Sequence, residues 1–168
     1  MKTSYIICGS PGAGKSTYAR HLASLKRAMV LDIDAVTEPL VQLALKNSGR
    51  SPDDRDSSYF KKTYREPIYE TLFSIARENL LVLDVVIVGP FTKELRDSDW
   101  PSKLKETLSG PVEVHYVQCP PETCKQRLEK RSNPRDVAKL GDWENYIKYY
   151  GGKILPAFDH ILVDGANI

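Results

Sequence analysis

The sequence predicts an α/β fold in which a parallel sheet is covered by helices on both faces. Two observations carry that expectation. Apolar runs of strand length alternate about five times with stretches of helical period along the 168 residues, the pattern of parallel strands joined by right-handed helical crossovers. The first such run, residues 5–8, leads directly into GSPGAGKST at residues 9–17, which has the G-x-x-x-x-G-K-[ST] spacing of a phosphate-binding P-loop between a strand and a helix. Ligands of such sheets bind beyond the carboxyl ends of the strands. The P-loop, Asp32, Asp34, residues 89–92 and residues 119–135 all fall there.

The P-loop sets the chemistry. Gly9, Gly12 and Gly14 let backbone N–H groups approach and wrap phosphate oxygens, and the start of the following helix adds unpaired N–H groups and a positive dipole end. Lys15 is placed to reach the β- and γ-phosphates, and the Ser16 hydroxyl to ligate Mg²⁺. Gly9, Ser10, Pro11, Gly12, Ala13, Gly14, Lys15, Ser16 and Thr17 are therefore the candidate cradle.

The remaining elements follow in order. Tyr18, Ala19, Leu22, Ala23 and Leu25 recur on one face of a helix over residues 15–26. Ala28, Met29, Val30 and Leu31 form a second strand that runs out through Asp32, Ile33 and Asp34. Thr37, Glu38 and Pro39 read as the start of the next helix, a capping hydroxyl with proline in the first turn. Its apolar surface comes from Leu40, Val41, Leu43, Ala44 and Leu45, and Asn47, Ser48 and Gly49 end it. Residues 50–58 are a polar loop, either a solvated connection or part of a mobile flap over an acceptor. A helical pattern resumes over residues 59–81, with Ile68, Leu72, Ile75, Ala76 and Leu80 on the core face and Pro67 marking a kink or the true start. Val85, Val86, Ile87 and Val88 make a buried third strand. A helix over 100–108, a strand over 112–118, a helix from Glu122 broken at Asn133 and Pro134, a short helix over 143–150 and a strand over 160–163 complete the chain.

Composition bounds the function. With 41% hydrophobic and 27% charged residues the chain reads as one globular domain over residues 1–168. A net charge of +2 argues against nucleic-acid binding through bulk charge. No apolar run approaches the roughly 18 residues of a bilayer span and no signal-peptide pattern precedes the first strand, so a cytoplasmic protein without a membrane partner is expected. Cys8, Cys119 and Cys124 lack C-x-x-C spacing and read as reduced thiols, while His21, His115 and His160 are scattered without metal-ligand spacing.

Two constellations accompany the P-loop. Asp32 and Asp34 form a D-x-D at the tip of the second strand, where alternate side chains of an extended segment point the same way. Asp32 is the candidate to hold Mg²⁺ with Ser16, and Asp34 to accept the proton of an attacking hydroxyl. The alternative for Asp34 is a helix cap alone. Arg127 and Arg131 are four apart on one helix face, and Arg135 follows beyond the break. Such cations serve either to close over a transferring phosphoryl group or as a solvated basic helix end.

Taken together, GSPGAGKST, the D-x-D, residues 85–91 and RLEKRSNPRD resemble the small P-loop kinase-like proteins related to shikimate and gluconate kinases, zeta toxins and the 5′-kinase domain of polynucleotide kinases. The resemblance implies a P-loop NTPase fold of the nucleoside-monophosphate-kinase type: a five-stranded parallel sheet in the order 2-3-1-4-5, with a short lid at about residues 131–142. It further implies that Arg127 flanks the adenine of ATP, that Arg131 and Arg135 reach phosphates from the lid, and that Arg65 lies near the acceptor pocket. One departure stands out. P-loop NTPases commonly end the third strand with an acidic residue that holds Mg²⁺ through water, and this chain has Gly89 there, with Asp84 at the wrong end. That strengthens the metal role of Asp32 and argues against a motor or switch ATPase.

The expectation is an ATP-dependent phosphotransferase. ATP and Mg²⁺ would lie on the P-loop, a hydroxyl of a small-molecule acceptor near Asp34, and Lys15, Asp34 and Arg131 would catalyse in-line transfer. One alternative is a polynucleotide 5′-hydroxyl kinase, for which Lys61, Lys62, Arg65 and Lys93 would form a local basic patch. The other is an ATP-binding regulatory or interaction protein without efficient transfer.

Overall fold

A computed structural model describes residues 1–148 and 155–168. Its five strands, β1 (Ser4–Gly9), β2 (Met29–Asp32), β3 (Val85–Val88), β4 (Val112–Gln118) and β5 (Ile161–Asp164), form one sheet in the order β2-β3-β1-β4-β5. Every pairing is parallel, with Ser4 of central β1 opposite Val85 on one side and Val112 on the other. The helices are α1 (Lys15–Lys26), α2 (Ile33–Asn47), α3 (Ser58–Thr63), α4 (Arg65–Asn79), α5 (Trp100–Leu108), α6 (Pro121–Arg131), α7 (Val137–Gly141) and α8 (Trp143–Tyr146).

Alternation along the strands explains why both faces are covered. Ile6, Cys8, Val85 and Ile87 enter one apolar layer with Leu72 and Ala76 of α4 and Leu104 and Leu108 of α5. Tyr5, Ile7, Val86 and Val88 enter the other, against Ala19, Leu22 and Ala23 of α1 and Cys124 of α6. Burying each large side chain contributes roughly 1.5–3 kcal/mol, so both helical layers are held by the sheet. A strand buried on both faces has no polar side to show, which is why residues 85–88 are apolar throughout.

Several predicted elements agree with the structure residue for residue: α1, α5, β3 and β4. The helix placed at Thr37 does not. It begins at Ile33 because Asp32 caps it, Oδ1 accepting from the Asp34 N–H at 3.1 Å. Thr37 sits inside the helix and donates to the Ile33 carbonyl at 2.7 Å, and Pro39 lies within the same helix. The Asp32 carboxylate thus captures the chain before the Thr37 signal. Accordingly Asp34 stands in the first turn of α2, not on an extended strand beside Asp32, and the cap role considered for it belongs to Asp32.

The pattern over residues 59–81 is two helices. Ser57 caps α3 by accepting from the Phe60 N–H at 3.1 Å, and α4 restarts at Arg65, so Pro67 falls in a first turn where its missing N–H has no helical partner to lose. β5 begins at Ile161, one residue later than expected. The end of the helix expected over 143–150 and the glycines after it lie outside the described residues.

Cys8, Cys119 and Cys124 are unpaired thiols. Burial pushes Cys8 up to about 12, against a smaller downward pull from Lys15. His115 is likewise a core group, 4% exposed, with Nδ1 2.8 Å from the Tyr18 hydroxyl. Among the described residues no helix is long and apolar enough to cross a membrane.

Candidate active site

The turn from β1 to α1 passes through positive φ at Gly9 (139°), Gly12 (80°) and Gly14 (102°). Two of these glycines are also fixed by contact. A Cβ on Gly9 would lie 2.4 Å from the Val117 carbonyl oxygen, and one on Gly12 would lie 2.7 Å from that of Cys124. The loop is therefore seated on β4 and α6. Lys15 folds back over it, Nζ donating to the Ser10 carbonyl at 2.9 Å. Burial draws the Lys15 pKa down, while the charges of Asp34 and Asp32 pull it back up.

Ser16, in the first turn of α1, donates from Oγ to Asp32 Oδ2 at 2.5 Å. A hydroxyl and a carboxylate at the mouth of a phosphate loop are hard oxygen donors of the number Mg²⁺ takes from protein when water and phosphate complete its shell. The donor set therefore fits Mg²⁺ arriving with a nucleotide. Among the described residues no group of three or more His, Cys, Asp and Glu forms a metal cage of its own.

Asp34 faces the same space and is tied to the segment after α6. Arg135 Nη2 donates to its Oδ2 at 2.9 Å. Burial works to raise the Asp34 pKa, but the Arg135 hydrogen bond and charge, with Lys15 and Arg131 behind them, hold it below the ordinary carboxylate range. Arg135 also donates to Glu38 of α2 at 2.8 Å, and Glu38 lies 3.0 Å from Arg55 of the polar loop. Arg131 makes a two-pronged contact with Asp136, 2.5 and 2.8 Å, whose side chain is 2% exposed. Lys139 spans Asp56 and Asp136 at 3.4 and 3.6 Å. Arg127 lies on the P-loop itself: Nη1 donates to the Gly165 carbonyl at 2.8 Å and to the Gly12 and Ala13 carbonyls at 3.4 Å.

These groups border one cavity of about 380 Å³. Gly12, Gly14, Lys15, Ser16, Thr17, Asp32, Asp34, Arg127, Arg131 and Arg135 all line it, as does Pro11. Ala13 is instead fully buried beneath the loop. Val41, Arg55, Phe60, Arg65, Ile68 and Tyr69 line it as well. Sequence reasoning passed over Glu38, Arg55, Phe60, Tyr69, Asp136 and Lys139. Arg55 lay in the charged run 50–58, and Asp136 and Lys139 in the charged stretch after α6; Glu38, Phe60 and Tyr69 had no such signal. Of the proposed basic patch, Arg65 is ion-paired with Glu94 at 2.6 Å, and it lines the cavity with Lys61, while Lys62 and Lys93 are exposed outside it.

Gly89 has a steric reason. Phe91, fully buried at φ 44°, packs 5.1 Å from both Tyr69 and Trp100, centroid to centroid. A Cβ on Gly89 would meet its ring at 2.8 Å. The aromatic cluster thus occupies the space in which an acidic side chain at the end of β3 would begin.

The model of a family described as an AAA domain matches residues 5–151. Among solved structures, a sugar kinase from Janibacter sp. HTCC2649 is 18% identical with a TM-score of 0.61, covering 98% of this chain and 86% of its own. A gluconokinase from Sinorhizobium meliloti 1021 is 17% identical with a TM-score of 0.56, covering 98% and 83%. A shikimate kinase from Bacteroides thetaiotaomicron is 15% identical with a TM-score of 0.56, covering 97% and 86%. At these identities the likeness establishes the fold, that of small P-loop kinases. No curated protein matches the chain.

Proposed function

The chain belongs to this AAA-domain family and has the fold of the small P-loop kinases, and from that premise we propose that it is an ATP-dependent phosphotransferase acting on a hydroxyl of a small molecule. The observation that carries the reading is the position of Asp34, whose carboxylate shares one cavity with Lys15 of the P-loop and with the Ser16–Asp32 pair. ATP would take its phosphates to the loop, with Ser16 and Asp32 holding Mg²⁺, which supplies charge neutralisation at the β- and γ-phosphates. Lys15 would follow the charge of the transferring group, Asp34 would orient the acceptor hydroxyl and take its proton, and Arg131 would turn from Asp136 toward the phosphates. Gly9, Ser10, Pro11, Gly12, Ala13, Gly14 and Thr17 would complete the cradle, with Arg127 and Arg135 on its lid side. A single domain working in the cytoplasm fits this role.

Scoring ADP release over a panel of hydroxyl compounds tests the reading. Lys15→Ala should abolish nucleotide-dependent activity, and Asp34→Asn should keep ATP affinity while removing transfer. Undiminished transfer by Asp34→Asn would exclude Asp34 as the base. A second reading, an ATP-binding regulatory protein, is favoured by the pairing of Arg131 and Arg135 with carboxylates instead of their standing unpaired over the loop. It predicts a nucleotide-dependent thermal shift without acceptor-dependent ADP release. The Arg65–Glu94 pair weighs against a polynucleotide acceptor, because that cation is compensated within the chain.

A further inference from the structure

We infer that the acceptor is an uncharged molecule whose hydroxyl is carried on an aromatic or heteroaromatic body, bound against the part of the cavity wall that Phe60 and Tyr69 supply. The inference rests on the phosphotransferase reading and deepens it by naming the substrate class.

The cavity takes in the P-loop and Arg127 of α6, and with them Val41 of α2, Phe60 of α3, and Ile68 and Tyr69 of α4. Tyr69 is a backed surface, not a loose side chain: its ring lies 5.1 Å from that of buried Phe91, which rests in turn on Trp100. A fixed ring of this kind favours a flat apolar partner, because stacking then orders little that was mobile.

Charge points the same way. Arg55 lies 5.2 Å from the Phe60 ring centroid and 3.0 Å from Glu38. Arg65 lies 5.4 Å from the Tyr69 centroid and 2.6 Å from Glu94. Arg135 is held by Asp34 and Glu38, and Lys139 by Asp56 and Asp136. An acceptor carboxylate or phosphate would have to displace one of these carboxylates from its arginine. Lys61 also borders the cavity, and an anionic acceptor bound through it is the contrary outcome.

The step balances without a further reactant. The acceptor oxygen forms a bond to the γ-phosphorus of ATP, and the bond from that phosphorus to the β,γ-bridging oxygen breaks. ADP leaves with the electron pair, and the hydroxyl proton passes to Asp34 and then to water.

The test compares thymidine and 3-phenyl-1,2-propanediol, as neutral ring-bearing alcohols, with gluconate and shikimate, using the intact protein with ATP and Mg²⁺. Expected is turnover of at least one ring-bearing alcohol at a KM about tenfold or more below those of the acids. Phe60→Ala should raise that KM by about tenfold with the KM for ATP unchanged. Tyr69→Leu should likewise raise it about tenfold. Preference for the acids, or an acceptor KM untouched by both Phe60→Ala and Tyr69→Leu, overturns the inference and leaves the phosphotransferase standing. Saturable binding of a ring-bearing alcohol, weakened by Phe60→Ala but with no ADP released for any acceptor, keeps the assignment of the pocket and overturns the phosphotransferase.

Discussion

Arg135 and Asp34, 101 positions apart, are joined by a 2.9 Å hydrogen bond that ties the turn after α6 to the first turn of α2. The proposed base and that turn therefore share one ion pair, and removing the arginine should be visible in the base. Asp34 is held below the ordinary carboxylate range, so its charge persists in acid. The stability this pair contributes is present above the unfolded value of about 3.9 and is lost as pH falls through the lower folded value. In Arg135→Ala the acid limb of transfer should move to higher pH, toward the ordinary aspartate value. A limb that stays in place, read from kcat/KM against pH, would separate Asp34 from proton transfer.

Asp32 serves two roles that substitution can split. It caps α2 through Asp34 N–H and meets Ser16 at 2.5 Å. Asp32→Ala should cost about 0.5–2 kcal/mol in denaturant unfolding, whereas Asp32→Asn, still a good cap, should cost only a few tenths. Both should raise the Mg²⁺ concentration needed for half-maximal activity by at least about tenfold. A normal Mg²⁺ requirement in Asp32→Asn would remove Asp32 from the metal site.

Gly89 should resist the acidic residue common at its position. Its backbone is not among those at positive φ, so the contact with the Phe91 ring at 2.8 Å decides the outcome. Gly89→Asp should destabilise the protein by about 1–3 kcal/mol in thermal or urea unfolding. Adding Gly89→Asp to Phe91→Ala should cost less than adding it to the parent chain, because the ring it strikes is gone.

His115 should make stability depend on pH. Burial lowers its pKa, opposed by Glu113 3.6 Å from Nε2 and reinforced by Lys26, and Tyr18 holds Nδ1. The unfolded chain takes up the proton first. Stability is therefore full above about 6.5 and falls as pH is lowered toward the folded value. His115→Gln, compared with the parent by urea unfolding between pH 7 and 5, should show a shallower loss on acidification.

How much was legible follows from how far each signal reaches along the chain. The P-loop could be read from GSPGAGKST because its glycines, lysine and serine are contiguous and their dihedral needs are local. The start of α2 could not be read from Thr37, because Asp32 captured the chain four residues into what looked like extended structure. Nor could the break between α3 and α4, since the apolar spacing runs through it while Ser57 and Tyr64 set the boundaries.

The sequence by itself determined the class of the fold, the strand that enters the phosphate loop and the hard oxygen donors beside it. These depend on alternation, spacing and glycine dihedrals, which act over a few residues. Only the tertiary structure decided that Arg131, Arg135 and Lys139 stand paired with carboxylates, that Phe91 fills the place of an acidic residue at Gly89, and that Phe60 and Tyr69 line the cavity. Those facts depend on which side chains meet across the sheet and its helices. Charge pairing and ring packing are set by that meeting in space, and no local pattern records it.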